Sequence, residues 1–306
     1  MSILVSRYWN PRISTTLTLS LSVVAWHFLV VVFEQESKTA DKPNQYQQQR
    51  ILRFSYEISN SQSSAIKNAK FSSYLPVLLM SNQQAIDIKA SQKFKEQKSR
   101  SGNRVGHFDL GVIPPYGKKL VSFVAKIDMA EKANVVNLNH PEKYLKEESY
   151  IELSHPAITK LSQQLKGHSD RQSIERIYQW ASKRIQYVGY TSQDKGALYA
   201  IQHLRGDCTE YMYTVVALAR VLGIPARGVG GYVYQHNQVV SPEDYHNWAE
   251  VYLDGAWHIV DAQKKNLMVN TEDYIALRIL SDASVSLLGS SHRFVVANNQ
   301  LTIKMR

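Results

Sequence analysis

The chain has 306 residues, a hydrophobic fraction of 44% and a formal net charge of +10. This composition is typical of a globular protein and excludes a largely disordered chain. The lysines and arginines are scattered and no nucleic-acid-binding motif accompanies them, so we expect a basic, solvated surface and no nucleic-acid partner.

The first predicted element is a membrane-spanning helix. From Ile13 to Phe33 the chain has 21 residues without Asp, Glu, Lys or Arg, enough to cross a hydrocarbon core of about 30 Å. Arg7 and Arg12 precede this span, so the positive-inside rule predicts a cytoplasmic N-terminus. We expect residues 1–34 to be an uncleaved membrane anchor, with the rest of the chain on the opposite side of the membrane from the N-terminus. A cleaved signal peptide is the alternative, because residues 23–25 resemble a processing site.

Two contrasting segments follow the anchor. Residues 35–50 are polar and glutamine-rich, which predicts a flexible tether. Residues 51–136 alternate apolar and polar side chains and carry turn signals at Ser101-Gly102-Asn103 and Pro114-Pro115, which predicts an antiparallel β-sandwich with a structural role. The alternating apolar positions are Leu52, Phe54, Tyr56 and Ile58, then Ile86 and Ile88, then Val121, Phe123, Ala125 and Ile127.

Residues 137–150 are a polar connector, and from residue 151 to 306 the chain is predicted to form an α+β domain. Its first helix is expected to begin at Ser154-His155-Pro156 and to end at Gly167. A second helix is predicted from an apolar stripe at helical spacing. That stripe consists of Ile174, Ile177, Trp180, Ala181 and Ile185.

The only cysteine, Cys208, lies at the predicted start of a mostly apolar helix that ends before Gly223. Asp207 is a suitable N-cap, and Gly206 permits a tight turn before it. Unpaired N–H groups and the positive dipole end of a helix favour thiolate, so this position predicts a lowered pKa for the Cys208 thiol. Cys208 is therefore a candidate nucleophile whose own amide is half of a candidate oxyanion hole.

A nucleophilic cysteine needs a base and a group that orients the base. Residues 246–252 and 257–261 are predicted to form two strands joined by a turn at Asp254-Gly255. Adjacent antiparallel strands can bring His246 and Asp261 together, so that the carboxylate fixes the imidazole tautomer. The sequence thus predicts a Cys208–His246–Asp261 triad.

These segments resemble the bacterial transglutaminase-like superfamily. The similarity is strongest in GDCTEYMYTVVALARVLGIPARGV and HNWAEVYLDGAWHIVDAQ, between Gly206 and Gln263, and extends over about residues 151–279. It implies a papain/transglutaminase-like core in which a helix-borne cysteine packs on an antiparallel sheet, with Cys208 as nucleophile, His246 as general base and acid and Asp261 as orienting residue. In relatives the second oxyanion donor is an upstream side chain; Tyr190 and Gln193 are the candidates here.

The predicted triad specifies acyl transfer through a thioester. We expect hydrolysis of a protein or peptide substrate at the cell envelope by a cysteine protease or amidase. A protein-crosslinking transglutaminase and a non-catalytic binding module are the alternatives. The chemistry needs no cofactor, and the spacing of possible ligands predicts no metal site.

Several other residues have structural interpretations. We expect His203, His236 and His258 to be incidental, and Trp180 and Trp257 to be core aromatics. Glu250 could support the site or pair with Arg227, and the sequence does not decide between the two.

Overall fold

The computed structural model describes residues 46–280 and 286–306. No helix in these two ranges is long and apolar enough to cross a membrane. The predicted span at residues 13–33, and most of the predicted tether, lie outside the described residues.

Two antiparallel four-stranded sheets form the predicted β-sandwich. Their strand orders are β15-β1-β6-β3 and β14-β2-β5-β4. The strands are β1 (Gln48–Asn60), β2 (Ile66–Leu75), β3 (Gln83–Ala90), β4 (Phe94–Lys98), β5 (Arg104–Ile113), β6 (Lys118–Met129), β14 (Phe294–Val296) and β15 (Leu301–Met305).

The sandwich core comes from the predicted alternation of side chains. The four apolar residues in β1 and the four in β6 are all buried, because alternate side chains point to one face of a strand. Rings from the two sheets meet across this core, as where Phe108 of β5 packs edge to face on Phe123 of β6, with ring centroids 5.5 Å apart. Ile86 does not fit the prediction and is 53% exposed, since a bulge between Ala85 and Asp87 interrupts the register of β3.

The domain limits differ from the predicted ones at both ends. Residues 48–50, expected in the tether, begin β1, because their backbones pair with residues 127–129 of β6. Strands β14 and β15, expected in the catalytic domain, return to the sandwich and pair with β2 and β1. Such pairing between distant segments leaves no local signal in the sequence.

The second half of the chain folds as helices packed on an antiparallel five-stranded sheet of order β12-β11-β10-β9-β13. The helices are α1 (Pro156–Leu165), α2 (Asp170–Arg184), α3 (Gly196–His203) and α4 (Cys208–Val221). The strands are β9 (Ala226–Val233), β10 (Tyr245–Leu253), β11 (Ala256–Asp261), β12 (Asn266–Leu267) and β13 (Tyr274–Ile279), with the two-residue parallel pair β7 (Gln186–Tyr187) and β8 (Arg205–Gly206) beside α4. This is the predicted α+β core: helix α4 is buried along nearly its whole length and packs on β9 and β10.

Side-chain amides of the sandwich cap the open edge of the five-stranded sheet. Gln83 donates to the carbonyl of Ala276 in β13 (3.0 Å) and accepts from its N–H (2.7 Å). Asn103 does the same with Ile279, at 2.8 and 2.6 Å. An edge strand presents unpaired N–H and C=O groups, so these amides take the place of a sixth strand. The sandwich and the sheet lie in one compact unit.

Candidate active site

Helix α4 begins at the predicted cap. The Asp207 carboxylate accepts from the N–H of Thr209 (2.8 Å), and Glu210 accepts from the N–H of Asp207 (2.9 Å), which completes a capping box. The other carboxylate oxygen of Asp207 accepts from both the N–H and the hydroxyl of Thr191, each at 2.9 Å. Cys208 is therefore the first residue of a helix whose start is fixed from both sides.

The thiol of Cys208 is partly exposed and faces strand β10. The backbone of Asn247 and the side chain of Thr209 both act to lower the pKa of the thiol, so both lie near the sulfur. The Asn247 amide in turn donates to the Thr209 hydroxyl (2.9 Å). Since His246 precedes Asn247 in β10, these bonds place the thiol next to the strand position that carries the histidine.

The pKa of the thiol moves opposite to the predicted direction. Burial, followed by the neighbouring Asp207 carboxylate, raises the pKa of Cys208 from 9.0 to about 12, and the charge of Asp261 adds to the effect. The bonds from Asn247 and Thr209 oppose this rise without cancelling it. The helix terminus alone favours the thiolate. Burial and the neighbouring carboxylates disfavour an anion at this position, and their effect on the pKa is larger.

His246 and Asp261 are joined by a hydrogen bond of 2.7 Å between Nε2 and Oδ2. Both are buried, with exposed fractions of 5% and 2%. The same carboxylate accepts from the Tyr274 hydroxyl (3.0 Å) on Oδ2 and from the N–H of Lys264 (3.0 Å) on Oδ1. An ionised carboxylate only accepts hydrogen bonds, so Nε2 carries the hydrogen and Nδ1 is the ring nitrogen able to take a proton.

The predicted hairpin produces this contact by a diagonal pairing. The ladder pairs Ala249 with Val260 and the strands turn at residues 254–255, which sets Asp261 across from Trp248. His246 is two residues from that position on the same face of β10, within reach of a diagonal cross-strand neighbour. Both candidate residues thus lie on one face of the sheet.

Tyr187 is a residue near the thiol that the sequence did not indicate. Tyr187 is 49% exposed, and burial, followed by the charges of Cys208 and Asp207, raises the pKa of its hydroxyl. The parallel pairing of Tyr187 with Gly206 sets it beside the start of α4. Of the two candidates from sequence, Tyr190 is 84% exposed and Gln193 lines a separate cavity. A two-residue strand has no detectable periodicity, which is why Tyr187 was missed.

Glu250 pairs with Arg227, which resolves the alternative left open by the sequence. Both Nε and Nη2 of Arg227 donate to one Glu250 oxygen, at 2.8 and 2.7 Å. The guanidinium carbon lies 4.1 Å from the ring centroid of Trp257, and both members of the ion pair are buried. Glu250 therefore serves the fold of β9 and β10, and Trp257 is buried as predicted. Trp180 is only partly buried and packs against the helical core.

The remaining histidines lie apart from the thiol. His203 and His236 are exposed, and His258 bonds the carbonyl of Leu253 (3.2 Å). Within the ranges that the structure describes, no cluster of three His, Cys, Asp or Glu side chains could hold a metal ion.

A cysteine at a helix start, beside a His–Asp pair on an antiparallel sheet, is an arrangement found in thiol enzymes that transfer acyl groups. Residues 159–262, which contain all three side chains, match the family model of the transglutaminase-like superfamily. This part of the chain is a transglutaminase-like domain.

Similarity to individual proteins is more distant. In fold, the chain is similar to a Cytophaga hutchinsonii protein provisionally described as a cysteine protease, with a TM-score of 0.56 and 20% identity, covering 85% of this chain and 92% of that one. In sequence it is 23% identical over 164 residues to an uncharacterized protein of Mycobacterium leprae, covering 52% of this chain and 58% of the relative. It is 32% identical over 114 residues to the mouse kyphoscoliosis peptidase, which covers 34% of this chain and only 17% of that protein.

Proposed function

We propose that the chain is a cysteine protease or amidase, with Cys208 as nucleophile, His246 as general base and acid, and Asp261 as the residue that orients the histidine. The observation that carries the proposal is the buried 2.7 Å bond between His246 and Asp261, near a thiol whose pKa the backbone of Asn247, the next residue of the same strand, acts to lower. A base held by a third group and placed next to a nucleophile is the arrangement that covalent catalysis requires.

In this proposal the thiol proton moves during the reaction. As the sulfur forms a bond to the substrate carbonyl carbon, His246 Nδ1 takes the thiol proton and the carbonyl oxygen becomes an oxyanion. The C–N bond then breaks, and the amine leaves with the proton from His246. Water attacks the resulting thioester while His246 takes one of its protons. The acid departs and that proton returns to sulfur. Asp261 stabilises the imidazolium that forms in both halves.

Two groups are suited to bind the oxyanion. The N–H of Cys208 is in the first turn of α4, where the helix provides no acceptor for it. The Tyr187 hydroxyl, whose pKa is raised, remains a neutral donor near the sulfur. We assign Tyr187 the role of second donor, in place of Tyr190 or Gln193.

Hydrolysis is favoured over the two alternatives by the named relatives. The proteins called peptidase or provisionally cysteine protease support water as the acceptor. Transfer to a lysine amine would use the same three residues and differ only in which acceptor reaches the thioester. The buried Asp261, which accepts hydrogen bonds on both carboxylate oxygens, argues against a binding module. Burying a carboxylate beside an imidazole has a desolvation penalty, and a non-catalytic domain gains nothing that would offset it.

The test compares wild type with Cys208→Ala, using labelled casein and a glutamine-containing peptide as substrates, with and without a dansylated primary amine. Casein cleavage, or conversion of the glutamine to the free acid, by wild type and not by Cys208→Ala supports hydrolysis. Both reactions release ammonia from the glutamine, so incorporation of the amine without formation of the free acid is what supports transamidation. Asp261→Asn should abolish most of the activity while the protein stays folded. Equal turnover by wild type and Cys208→Ala on every substrate would refute Cys208 as the nucleophile.

We also propose that residues 13–33 anchor the protein in the inner membrane, with the catalytic domain in the periplasm and an envelope protein or peptide as substrate. The charge pattern around the span supports this orientation. Protease treatment of spheroplasts tests it: digestion of the catalytic domain without lysis agrees with the proposal, and protection until lysis contradicts it.

A further inference from the structure

A polar cavity of about 510 Å³ lies along helix α4, separate from the Cys208–His246–Asp261 group. Its volume falls in the range of small-molecule sites, about 300–1,000 Å³. Its walls come from the connector, the loop before α3, helix α4, strands β9 and β13 and the C-terminal segment. The charged and phenolic side chains that line it are Glu148, Tyr150, Asp194, Tyr213, Arg220, Arg278 and His292.

Most of the charges in this cavity are already paired. Arg220 forms a 2.7 Å hydrogen bond to Glu148 and donates other N–H groups to backbone carbonyls. Asp194 accepts from the Tyr213 hydroxyl (3.0 Å) and lies 3.3 Å from His292 Nε2. Burial opposes ionisation of Asp194, but His292 and the charge of Arg278 keep its pKa below the usual value. Glu148 therefore balances Arg220, and Asp194 is shared between Tyr213 and His292.

Arg278 is the exception. It is 4% exposed, and among the described residues it forms no ion pair. Nη1 donates to the carbonyl of Ser291 (3.1 Å), the guanidinium lies 5.5 Å from the Tyr74 ring, and Nε has no hydrogen-bond partner. Asp194 is the carboxylate whose pKa Arg278 lowers, but it is not within ion-pair distance, and a buried cation without a direct ion pair is costly. A guanidinium offers a planar set of donors that matches a carboxylate.

The cavity is also near the nucleophile. Tyr213 follows Cys208 by five residues in α4, a rise of roughly 7.5 Å and a rotation of about 140° around the helix axis, so the connection between the two places is the loop and not the helix surface. The loop that carries Asp194 begins beside the thiol at Tyr187 and is fastened to the helix start through Thr191. A peptide that extends from the sulfur along this loop would reach the cavity within a few residues.

We propose that this cavity binds a carboxylate of the substrate against Arg278, so that the enzyme prefers peptides with a free carboxylate a short distance from the scissile amide. The identification of the ligand as substrate rests on the proposed function, whereas carboxylate binding itself does not.

The experiment is calorimetric titration of the full chain carrying Cys208→Ser, which prevents turnover. The matched probes are N-acetyl-alanyl-alanine and its C-terminal amide, which differ only in the carboxylate. We expect the acid to bind about ten- to a hundredfold more tightly, the range for a hydrogen bond to a charged group. Arg278→Gln should remove this preference. Arg293→Gln, which replaces an arginine outside the cavity, should keep it.

Ser290→Trp provides a test that leaves Arg278 in place. Ser290 is exposed at the rim of the cavity, so tryptophan there should block binding without unfolding the protein. Equal affinity for acid and amide, no binding of either, or a preference that survives both Arg278→Gln and Ser290→Trp would overturn the proposal. Casein hydrolysis by wild type is measured separately, so that failure of carboxylate binding and failure of the proposed catalysis are distinguishable.

Discussion

The ionisation state of Cys208 gives a quantitative prediction about the resting protein. With a pKa of about 12, only about one thiol in 10,000 is ionised at pH 8, whereas for an ordinary cysteine of pKa about 8.5 the fraction is about one in four. Because the thiolate is the species that reacts with iodoacetamide, the native thiol should label about three orders of magnitude more slowly than the unfolded one.

Cys208 is the only cysteine in the chain, so no competing thiol has to be mutated before the labelling assay. Labelling is followed by mass spectrometry from pH 7 to pH 10 in native buffer, with the same chain in guanidinium chloride as the reference. The dependence of the labelling rate on pH distinguishes a raised thiol pKa from steric shielding of the sulfur. A protonated native thiol gains about tenfold in rate per pH unit over the whole range, whereas the unfolded chain levels off above about pH 9. Steric shielding alone would lower the labelling rate at every pH without changing the pH at which the rate levels off.

A native rate at pH 8 equal to or above the unfolded rate would refute this reasoning. It would mean that His246 already holds the thiol proton, as the helix terminus alone predicts. His246→Ala would then slow labelling strongly. If the thiol is protonated at rest, His246→Ala changes labelling little and its effect falls on turnover.

Three further predictions concern single side chains. Tyr187→Phe should lower kcat about 10²- to 10³-fold with the fold intact, because one oxyanion donor is lost; steady-state kinetics with casein measures this, and unchanged kcat would remove Tyr187 from the oxyanion hole. Glu250→Gln should lower the free energy of unfolding by about 3–5 kcal/mol, because it leaves Arg227 buried and unpaired; urea unfolding checks this, and a loss below 1 kcal/mol would contradict it. Gln83→Leu should destabilise the fold by at least about 1–3 kcal/mol through the unpaired backbone of β13, whereas the matched change at exposed Gln84 should cost little.

Local signals predicted much of the fold. The apolar alternation in β1 and β6 specified the sandwich, and Asp207 and the Asp254-Gly255 turn specified the start of α4 and the β10–β11 hairpin, because each of these depends on residues close in sequence. The triad positions followed from a motif that spans these local elements. Their roles in catalysis stay predictions.

What the sequence missed depends on contacts between distant segments. The return of β14 and β15 to the sandwich, the exposure of Ile86 at a bulge and the proximity of Tyr187 to the thiol all arise from tertiary pairing. The direction of the Cys208 pKa is a further case, because it results from burial and nearby carboxylates that one segment cannot reveal.

Strand β13 connects these observations, because it links the sandwich to both functional regions. Its first residue, Tyr274, bonds the Asp261 carboxylate (3.0 Å), and Arg278 near its end lines the cavity. Between and beside them, Ala276 and Ile279 are held by Gln83 and Asn103 from the sandwich. Together with the Val77 N–H, which donates to the Ala276 carbonyl (2.9 Å), those amides cover backbone groups that an edge strand would leave unpaired. The sandwich therefore helps to hold β13 in place. That strand contributes both the Tyr274 hydroxyl that bonds Asp261 and the Arg278 side chain of the proposed carboxylate site.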